Sequence, residues 1–458
     1  MTFENIIADI SSLIWGWPMV ILLLGTHLYL TIILKFPQRK LLKGIRLTIA
    51  RSEGNGGDVS QFGAMAISLA ATIGTGNIIG VATAVSLGGP GAVFWCWIVG
   101  VFGISTKYAE ALLAVKYRRR NENGTIIGGP MCVLDSALGM RPLAIFFSIF
   151  TVMAAFGLGG TVQANAISVL VKEDLGISPY ISGALLAACV GAVVIFGVKG
   201  IAKMCTRIVP SMAIVYLLGC VYILCANHAF LGQALSLIVR SAFDPSAVGG
   251  GFAGATIAMT MRYGIARGLF SNESGLGSAP IVAAAANTRN PVRQALVSST
   301  SVFWDTVVVC AITGLVLVSS VLAYPDINFT DGATLTKHAF DKIPYIGSPI
   351  LIFAVVVFAF STIVGWSYYA ERAVEYLGGK RVVLLFRVVW VVVIYIGSTV
   401  SLNLVWNISD ITNALMAIPN IISLLLLSRV LIKDTNYYLW GGKIDEAGGI
   451  ISEQDNAE

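Results

Sequence analysis

The feature that most constrains this chain is a succession of apolar stretches long enough to cross a bilayer. A helix needs about 20 apolar residues to span the roughly 30 Å hydrocarbon core. Eleven stretches reach that length, at 13–35, 61–88, 91–117, 142–171, 178–198, 204–226, 251–286, 296–322, 349–377, 382–402 and 407–429. Composition agrees with this count. Only 12% of the 458 residues are charged, whereas soluble domains carry about 25% to coat their surfaces. Disorder is excluded as well, since 56% of the chain is hydrophobic and a disordered chain needs low hydrophobicity. The prediction is an all-α integral membrane protein of 11 spans whose surroundings are the lipid bilayer.

The basic residues set an orientation. With loops assigned alternately to two sides, 23 of the 30 Lys and Arg fall on the side that follows the first span. Four (Lys172, Arg240, Lys337, Lys342) fall on the other, and Lys107, Arg262 and Arg267 lie within spans. The positive-inside rule then puts the N-terminus outside and the C-terminus in the cytoplasm of a plasma-membrane protein. A miscounted span would scramble the asymmetry. Residues 229–243 and 333–343 are too short to cross and read as surface helices on the outer side. The polar, acidic stretch from Ile444 reads as a loose cytoplasmic tail. The start, Met-Thr-Phe-Glu-Asn, lacks the positive region of a cleavable signal peptide. The seven cysteines lie mostly in apolar runs without metal or disulfide spacing, and read as small buried hydrophobes.

Two spans are interrupted. The first reads Ser68-Leu69-Ala70-Ala71-Thr72-Ile73-Gly74-Thr75-Gly76-Asn77-Ile78-Ile79-Gly80, and the second Arg267-Gly268-Leu269-Phe270-Ser271-Asn272-Glu273-Ser274-Gly275-Leu276-Gly277. Unwound backbone is tolerated in lipid only inside protein or beside a polar cavity. A half-helix that starts at the midplane points unpaired N–H groups and a positive dipole end at an anion. A half-helix that ends there offers free carbonyls to a cation. Either break alone also reads as a Gly-rich packing surface. With the first span set aside, however, the breaks open helices one and six of the remaining ten. Paired interruptions at corresponding positions point to an inverted repeat with a midplane site. The organisation expected is residues 1–60 as an extra helix and linker, 61–228 and 229–429 as five-helix repeats of opposite orientation, and 430–458 as a tail.

These motifs resemble the alanine/glycine:cation symporter family. The resemblance rests on Ala71-Thr72-Ile73-Gly74-Thr75-Gly76-Asn77-Ile78, Gly88-Gly89-Pro90-Gly91-Ala92-Val93-Phe94-Trp95, Lys107-Tyr108-Ala109-Glu110, Gly128-Gly129-Pro130-Met131, Arg267 to Glu273, Phe360-Ser361-Thr362 and Trp366-Ser367-Tyr368-Tyr369-Ala370-Glu371. It covers nearly the whole chain. It implies a LeuT-type 5+5 inverted-repeat fold with discontinuous first and sixth core helices and one added N-terminal helix. It also implies uptake of alanine and glycine by alternating access, driven by sodium or, in an alternative reading, by protons.

The resemblance implies roles for named residues. The substrate carboxylate would meet the backbone amides of Thr75, Gly76 and Asn77, and its ammonium the carbonyls near Ile73 and Phe270. Gln163 or Phe156 from the span 142–171, together with Phe270, Gly275, Ile363 and Trp366, would close the pocket. Ordinary helix packing is the competing reading for each aromatic, most of all for Phe156. Sodium would bind the carbonyls of Ala70, Ile73 and Phe358 and the hydroxyls of Ser361 and Thr362. Adjacent Ser-Thr can also bond back to its own helix. A second ion site would use Thr72, Asn77 and Ser271 near Asp305. Ionisable groups inside spans are costly and by default functional. Arg267, Glu273 and Asp305 are therefore expected to pair, or to act in gating or coupling. Lys107 and Glu110 are expected to form an ion pair at the inner interface.

No organic cofactor and no nucleic-acid partner are expected, and no G-x-x-x-x-G-K-[ST] run is present. One charge crossing 100 mV is worth about 2.3 kcal/mol. At about 1.4 kcal/mol per decade, one sodium would support roughly fifty-fold accumulation of a zwitterion. A channel would instead need a continuous polar path. An enzyme is excluded on the absence of an H-E-x-x-H pattern and on histidines (His27, His228, His338) without a Ser or Cys partnership.

Overall fold

The computed structural model describes residues 3–50, 56–121, 124–244, 256–327, 332–400 and 403–450. The described chain is helical apart from a two-residue hairpin, β1 (Arg119–Arg120) against β2 (Ile126–Ile127). Eight helices among the described residues are long and apolar enough to cross a membrane. They are α1 (Asn5–Ile33), α5 (Gly91–Lys116), α6 (Arg141–Leu175), α8 (Gly197–Ala226), α12 (Pro291–Ala323), α14 (Gly347–Gly378), α15 (Arg381–Thr399) and α16 (Val405–Leu426). A ninth span is broken: α3 (Gln61–Thr72) and α4 (Gly76–Gly88) meet at 53°. The chain is thus a multi-pass membrane protein. Two further expected spans are helices that fall short of the same length: α7 (Pro179–Val194) and α10 (Ile257–Asn272), the latter followed by a single turn, α11 (Pro280–Ala283). Residues 251–255 of the expected 251–286 span lie outside the described residues.

The two segments expected to be short helices are helical. Residues Leu231–Ser241 make α9 and Gly332–Phe340 make α13, while Leu41–Ile49 make α2 beside the first broken helix. Caps mark where the helices begin. Ser60 accepts from the Gly63 amide at 3.0 Å, and Thr256 from Met259 at 3.2 Å. Asn290 accepts from Arg293 at 2.8 Å, with Pro291 in the first turn. Each satisfies an amide that the helix itself leaves open.

The loops sort into two ends of the bundle. At one end, Lys35 donates to Asn436 (3.0 Å), Lys116 pairs with Asp434 (2.8 Å) and Arg293 pairs with Asp445. At this end Arg387 holds both carboxylate oxygens of Glu371, and Arg372 bridges Glu371 and Glu375 at 2.6 Å each. The chain entering α3 pairs there with the chain leaving α11: Val59 bridges Ala286, and Asn287 N donates to the Val59 carbonyl at 2.7 Å. Arg118 adds bonds to the carbonyls of Ala284 and Ala286 at 2.9 and 2.7 Å. At the opposite end Lys337 pairs with Asp174, and the Trp95 indole donates to the Ala242 carbonyl beneath α9.

The tail differs from the loose segment its composition suggests. Ile444 is fully buried, and Asn290 donates to the carbonyls of Ile444 and Glu446 at 2.8 Å each. The amide of Gly448 closes on the Arg289 carbonyl at 3.0 Å. Backbone bonding, which composition does not register, holds it. Residues 451–458 lie outside the described residues. Of the cysteines, Cys189 and Cys225 are exposed and the other five buried.

Candidate functional site

The site grows from the first break. Helical bonding stops at Ile73, whose backbone turns extended (φ −76°, ψ 92°). The chain resumes as the wide π-helical turn Gly76–Gly80 at the start of α4. Asn77 stitches the gap, its side-chain oxygen accepting from the Gly74 amide at 2.9 Å. Gly74 is required here by contact: a Cβ at that position would lie 2.6 Å from Thr362 Oγ1. Overpacking of that kind costs about 1–3 kcal/mol. Gly74→Ala is therefore expected to cut uptake by roughly tenfold at normal membrane expression, and an unchanged uptake rate would refute the contact.

The five residues expected to hold the cation converge. Thr362 Oγ1 lies 3.2 Å from the Ala70 carbonyl, 3.5 Å from that of Ile73 and 3.0 Å from that of Phe358. Ser361 Oγ lies 3.2 Å from the Ala70 carbonyl and 2.9 Å from that of Phe358. Both hydroxyls thus bond back to their own helix and also reach across to α3. Three carbonyls and two hydroxyls without a carboxylate make a neutral oxygen cage, the donor set of a hard monovalent cation. The Met212 sulfur, 3.6 Å from Ser361 Oγ, closes the α8 side.

Of the residues expected at the substrate, four come together. Thr75 donates to Gln163 Oε1 at 3.1 Å, and Gln163 is held by its amide on the Leu158 carbonyl at 3.3 Å. A methyl placed on Gly76 would stand 3.6 Å from Phe270 Cδ1, so the two breaks face each other across the width of a small side chain. Phe270 is stacked on Trp406 (6.4 Å between centroids) and lies under the Arg267 guanidinium at 5.8 Å. Ile363 and Trp366 are fully buried, and Trp366 packs into the notch left by Gly159. Phe156 packs against Phe386 and Trp390, which is the packing reading.

Several expectations need correction. The Asn77 amide N–H bonds to the Gly74 carbonyl (3.2 Å), and its side chain donates to Asp305 Oδ1 (2.7 Å), so Asn77 braces the break and does not offer its N–H to a ligand. Asn77 and Ser271 do converge on Asp305, with Ser271 Oγ donating to Oδ2 at 2.9 Å. Thr72 does not join them; its hydroxyl bonds back to the Ser68 carbonyl at 3.1 Å, the route open to any helical threonine.

The second break starts later than the polar run suggests, because α10 continues to Asn272 and Glu273 N still donates to the Leu269 carbonyl. The expected pairing of Arg267, Glu273 and Asp305 is absent among the described contacts. Arg267 turns to Phe270 and to the neighbourhood of Asp410, Glu273 accepts from Ser278 Oγ at 2.6 Å, and Asp305 takes Thr306, Asn77 and Ser271. Three local donors satisfy Asp305 more cheaply than one distant arginine would.

Gly275 is likewise engaged. Its amide donates to Glu110 Oε1 at 3.0 Å, that of Gly277 to the same oxygen at 3.1 Å, and its carbonyl accepts from Asn420 at 2.9 Å. Asn420 also donates to Glu110 Oε1 at 2.7 Å. Both glycines have positive φ (88° and 85°), the conformation that turns successive amides toward one anion. Glu110 is therefore not half of an interfacial ion pair. It and Lys107 are 2% and 1% exposed, on α5, the most enclosed of the eight long helices. Lys107 feels the charges of Glu110, Glu273 and Asp305 together.

Sequence reasoning missed Glu110, Asn420, Trp406 and Met212 as parts of this centre. Only Glu110 carried a signal, as a carboxylate within a span. The extra N-terminal helix is also part of it: Leu23 fills the space beside Gly275, and His27 Nδ1 lies 2.8 Å from Thr106 Oγ1.

Comparison with known proteins places the chain in a family. The sodium:alanine symporter family model matches residues 1–448. A Methanococcus maripaludis protein named sodium/alanine symporter AgcS is 47% identical over 446 residues, 96% of this chain and 98% of its own. A Haemophilus influenzae protein named only as an uncharacterized transporter is 47% identical over 450 residues, 97% of this chain and 98% of its own. Among solved structures, that of MhsT in complex with L-phenylalanine is similar with a TM-score of 0.60 at 15% identity, covering 85% of this chain and 95% of that one. That likeness is one of fold, and the fold is LeuT-like. The family match and the relatives' length together decide the assignment: the chain belongs to the sodium:alanine symporter family and is a transporter, not an enzyme.

Proposed function

We propose that this protein imports alanine and glycine across the plasma membrane by symport with sodium, through alternating access. The observation that carries the reading is the neutral oxygen cage of Ala70, Ile73, Phe358, Ser361 and Thr362, assembled from two helices. In this reading the cage holds the co-transported sodium. The amides of Thr75 and Gly76 take the substrate carboxylate at the N-terminus of α4. Gln163 and Phe270 close the space around the side chain, and the carbonyls at the ends of α3 and α10 take the ammonium. The Asn77–Ser271–Asp305 cluster is a second cation site in the same reading. Eleven spans arranged as an inverted repeat, with the N-terminus outside and the C-terminus cytoplasmic, complete it.

A small substrate side chain suits this reading, because Gly76 and Phe270 approach so closely that a Cβ on Gly76 would already touch the ring at 3.6 Å. Coupling to protons has its own basis in the buried set Lys107, Glu110, Glu273 and Asp305. Purified protein in liposomes is expected to accumulate labelled alanine under an inward sodium gradient, with glycine competing and phenylalanine not. Accumulation under a proton gradient alone would transfer the coupling to the buried cluster. No accumulation under either gradient would refute the proposal. Phe270→Ala is expected to admit larger side chains, measured as competition by leucine that the parent protein does not show.

A further inference from the structure

The turn from α7 into α8 leaves three cations without partners. Lys199, Lys203 and Arg207 recur every four residues of α8, so their side chains stack on one face a turn apart. All three are exposed, and their charged groups make no ion pair or hydrogen bond among the described residues. They border a cavity of about 670 Å³ whose other walls, Phe196, Met204 and Ile208 among them, are apolar, and no carboxylate lines it. The other charged side chain at this turn, Arg387, is also cationic; it donates to the Ile195 carbonyl at 3.3 Å while holding Glu371. A groove with this much unbalanced positive charge beside apolar walls is complementary to an anion that carries its own hydrocarbon.

The same face of α8 continues away from the cations onto Ile214, Leu218 and Tyr222, which are 57%, 64% and 50% exposed. In a multi-pass membrane protein such residues face acyl chains. From Arg207 to Tyr222 the helix rises about 22 Å, enough to cover one leaflet of a core roughly 30 Å thick. A free phosphate would use only the head of this track, whereas a phospholipid would use all of it.

We propose that the α7–α8 groove is a binding site for an anionic phospholipid, with its phosphate among Lys199, Lys203 and Arg207 and its acyl chains along the exposed face of α8. The site bears on transport through position. α8 also carries Met212, whose sulfur lies 3.6 Å from Ser361 Oγ, little more than a turn beyond Arg207. A lipid anchored there would brace the helix that backs the oxygen cage. The binding claim itself does not depend on the substrate or on the coupling ion.

The test uses the purified full-length chain in a neutral detergent, titrated with phosphatidylglycerol or phosphatidylcholine and read by native mass spectrometry and by melting temperature. Phosphatidylglycerol should bind and raise the melting temperature, and phosphatidylcholine should not. The triple variant Lys199→Gln, Lys203→Gln, Arg207→Gln should bind phosphatidylglycerol on the order of a hundredfold more weakly, each charge near an anionic headgroup counting for about fivefold. Neutralising three exposed cations elsewhere (Arg46→Gln, Arg429→Gln, Lys433→Gln) should leave binding unchanged. The charge-preserving pair Lys199→Arg, Lys203→Arg should also bind normally, which separates loss of charge from loss of fold. Equal binding of the two lipids, full binding by the triple variant or loss in the charge-preserving pair would overturn the proposal. So would displacement of the lipid by an equal concentration of glycerol phosphate, since that would make the groove a site for a free anion.

Discussion

Thr362→Val is expected to raise the sodium concentration for half-maximal uptake by roughly ten- to a hundredfold while leaving the protein folded. The substitution keeps the shape and removes one oxygen. That oxygen stands within 3.5 Å of three carbonyls on two helices, so it sits where a cation would draw all of them inward. Polar contacts to a charged group are worth about 1.5–3 kcal/mol, and about 1.4 kcal/mol is a factor of ten. Thr362→Ser keeps the oxygen and should stay close to the parent. Ser367, five residues further along α14, bonds among the described residues only to the Val364 carbonyl of its own helix (2.6 Å), which makes Ser367→Ala the matched control. The measurement is sodium-dependent alanine uptake in liposomes. A sodium curve for Thr362→Val that overlays that of Ser367→Ala would remove the hydroxyl from the cation site.

Glu110→Ala is expected to have the largest effect of any single substitution in the centre, and to act on stability before transport. One carboxylate oxygen accepts from the Gly275 amide, the Gly277 amide and the Asn420 side chain, all buried. Removing it orphans three donors at about 1–3 kcal/mol each, which approaches the whole stability of a typical domain, about 5–15 kcal/mol. It also leaves Lys107 without one of its neighbouring negative charges. Glu110→Gln separates these effects. Its side-chain oxygen can still accept the three bonds, but one of the three negative charges near Lys107 is gone.

The expected order of melting temperatures is therefore parent, then Glu110→Gln, then Glu110→Ala. The double variant Glu110→Gln, Lys107→Met should recover part of the loss, read as a coupling between the two sites. A Glu110→Ala protein that melts with the parent would show that the second break does not depend on this carboxylate.

The oxygen cage was legible in the sequence because its parts are local. Ser361 and Thr362 adjoin in an apolar helix, Ala70 and Ile73 flank a glycine-marked break, and the fold implied by resemblance brings the two segments together. The reading failed where a polar group could choose among partners. Arg267, Glu273 and Asp305 form a plausible triad in the sequence, yet each finds nearer donors or a nearer aromatic face. The role of Glu110 was hidden for the same reason. Its partners Gly275 and Asn420 lie 165 and 310 positions away, and the nearby Lys107 offers a simpler pairing on paper.

The sequence by itself determined the membrane setting, the helical class and the place of the first break. These follow from properties a segment carries alone: its hydropathy over about 20 residues, the tolerance of glycine for unwinding and the need of every backbone amide in lipid for a partner. The tertiary structure alone decided which partner each amide and charge received. The nest formed by Gly275 and Gly277 is filled by an internal carboxylate, and Asn77 is spent on Asp305, so the proposed place for a substrate's anion narrows to the amides of Thr75 and Gly76. Burial makes an unmatched polar group expensive, so each is satisfied by whichever partner the packing brings within about 3 Å, and that distance is set by the fold.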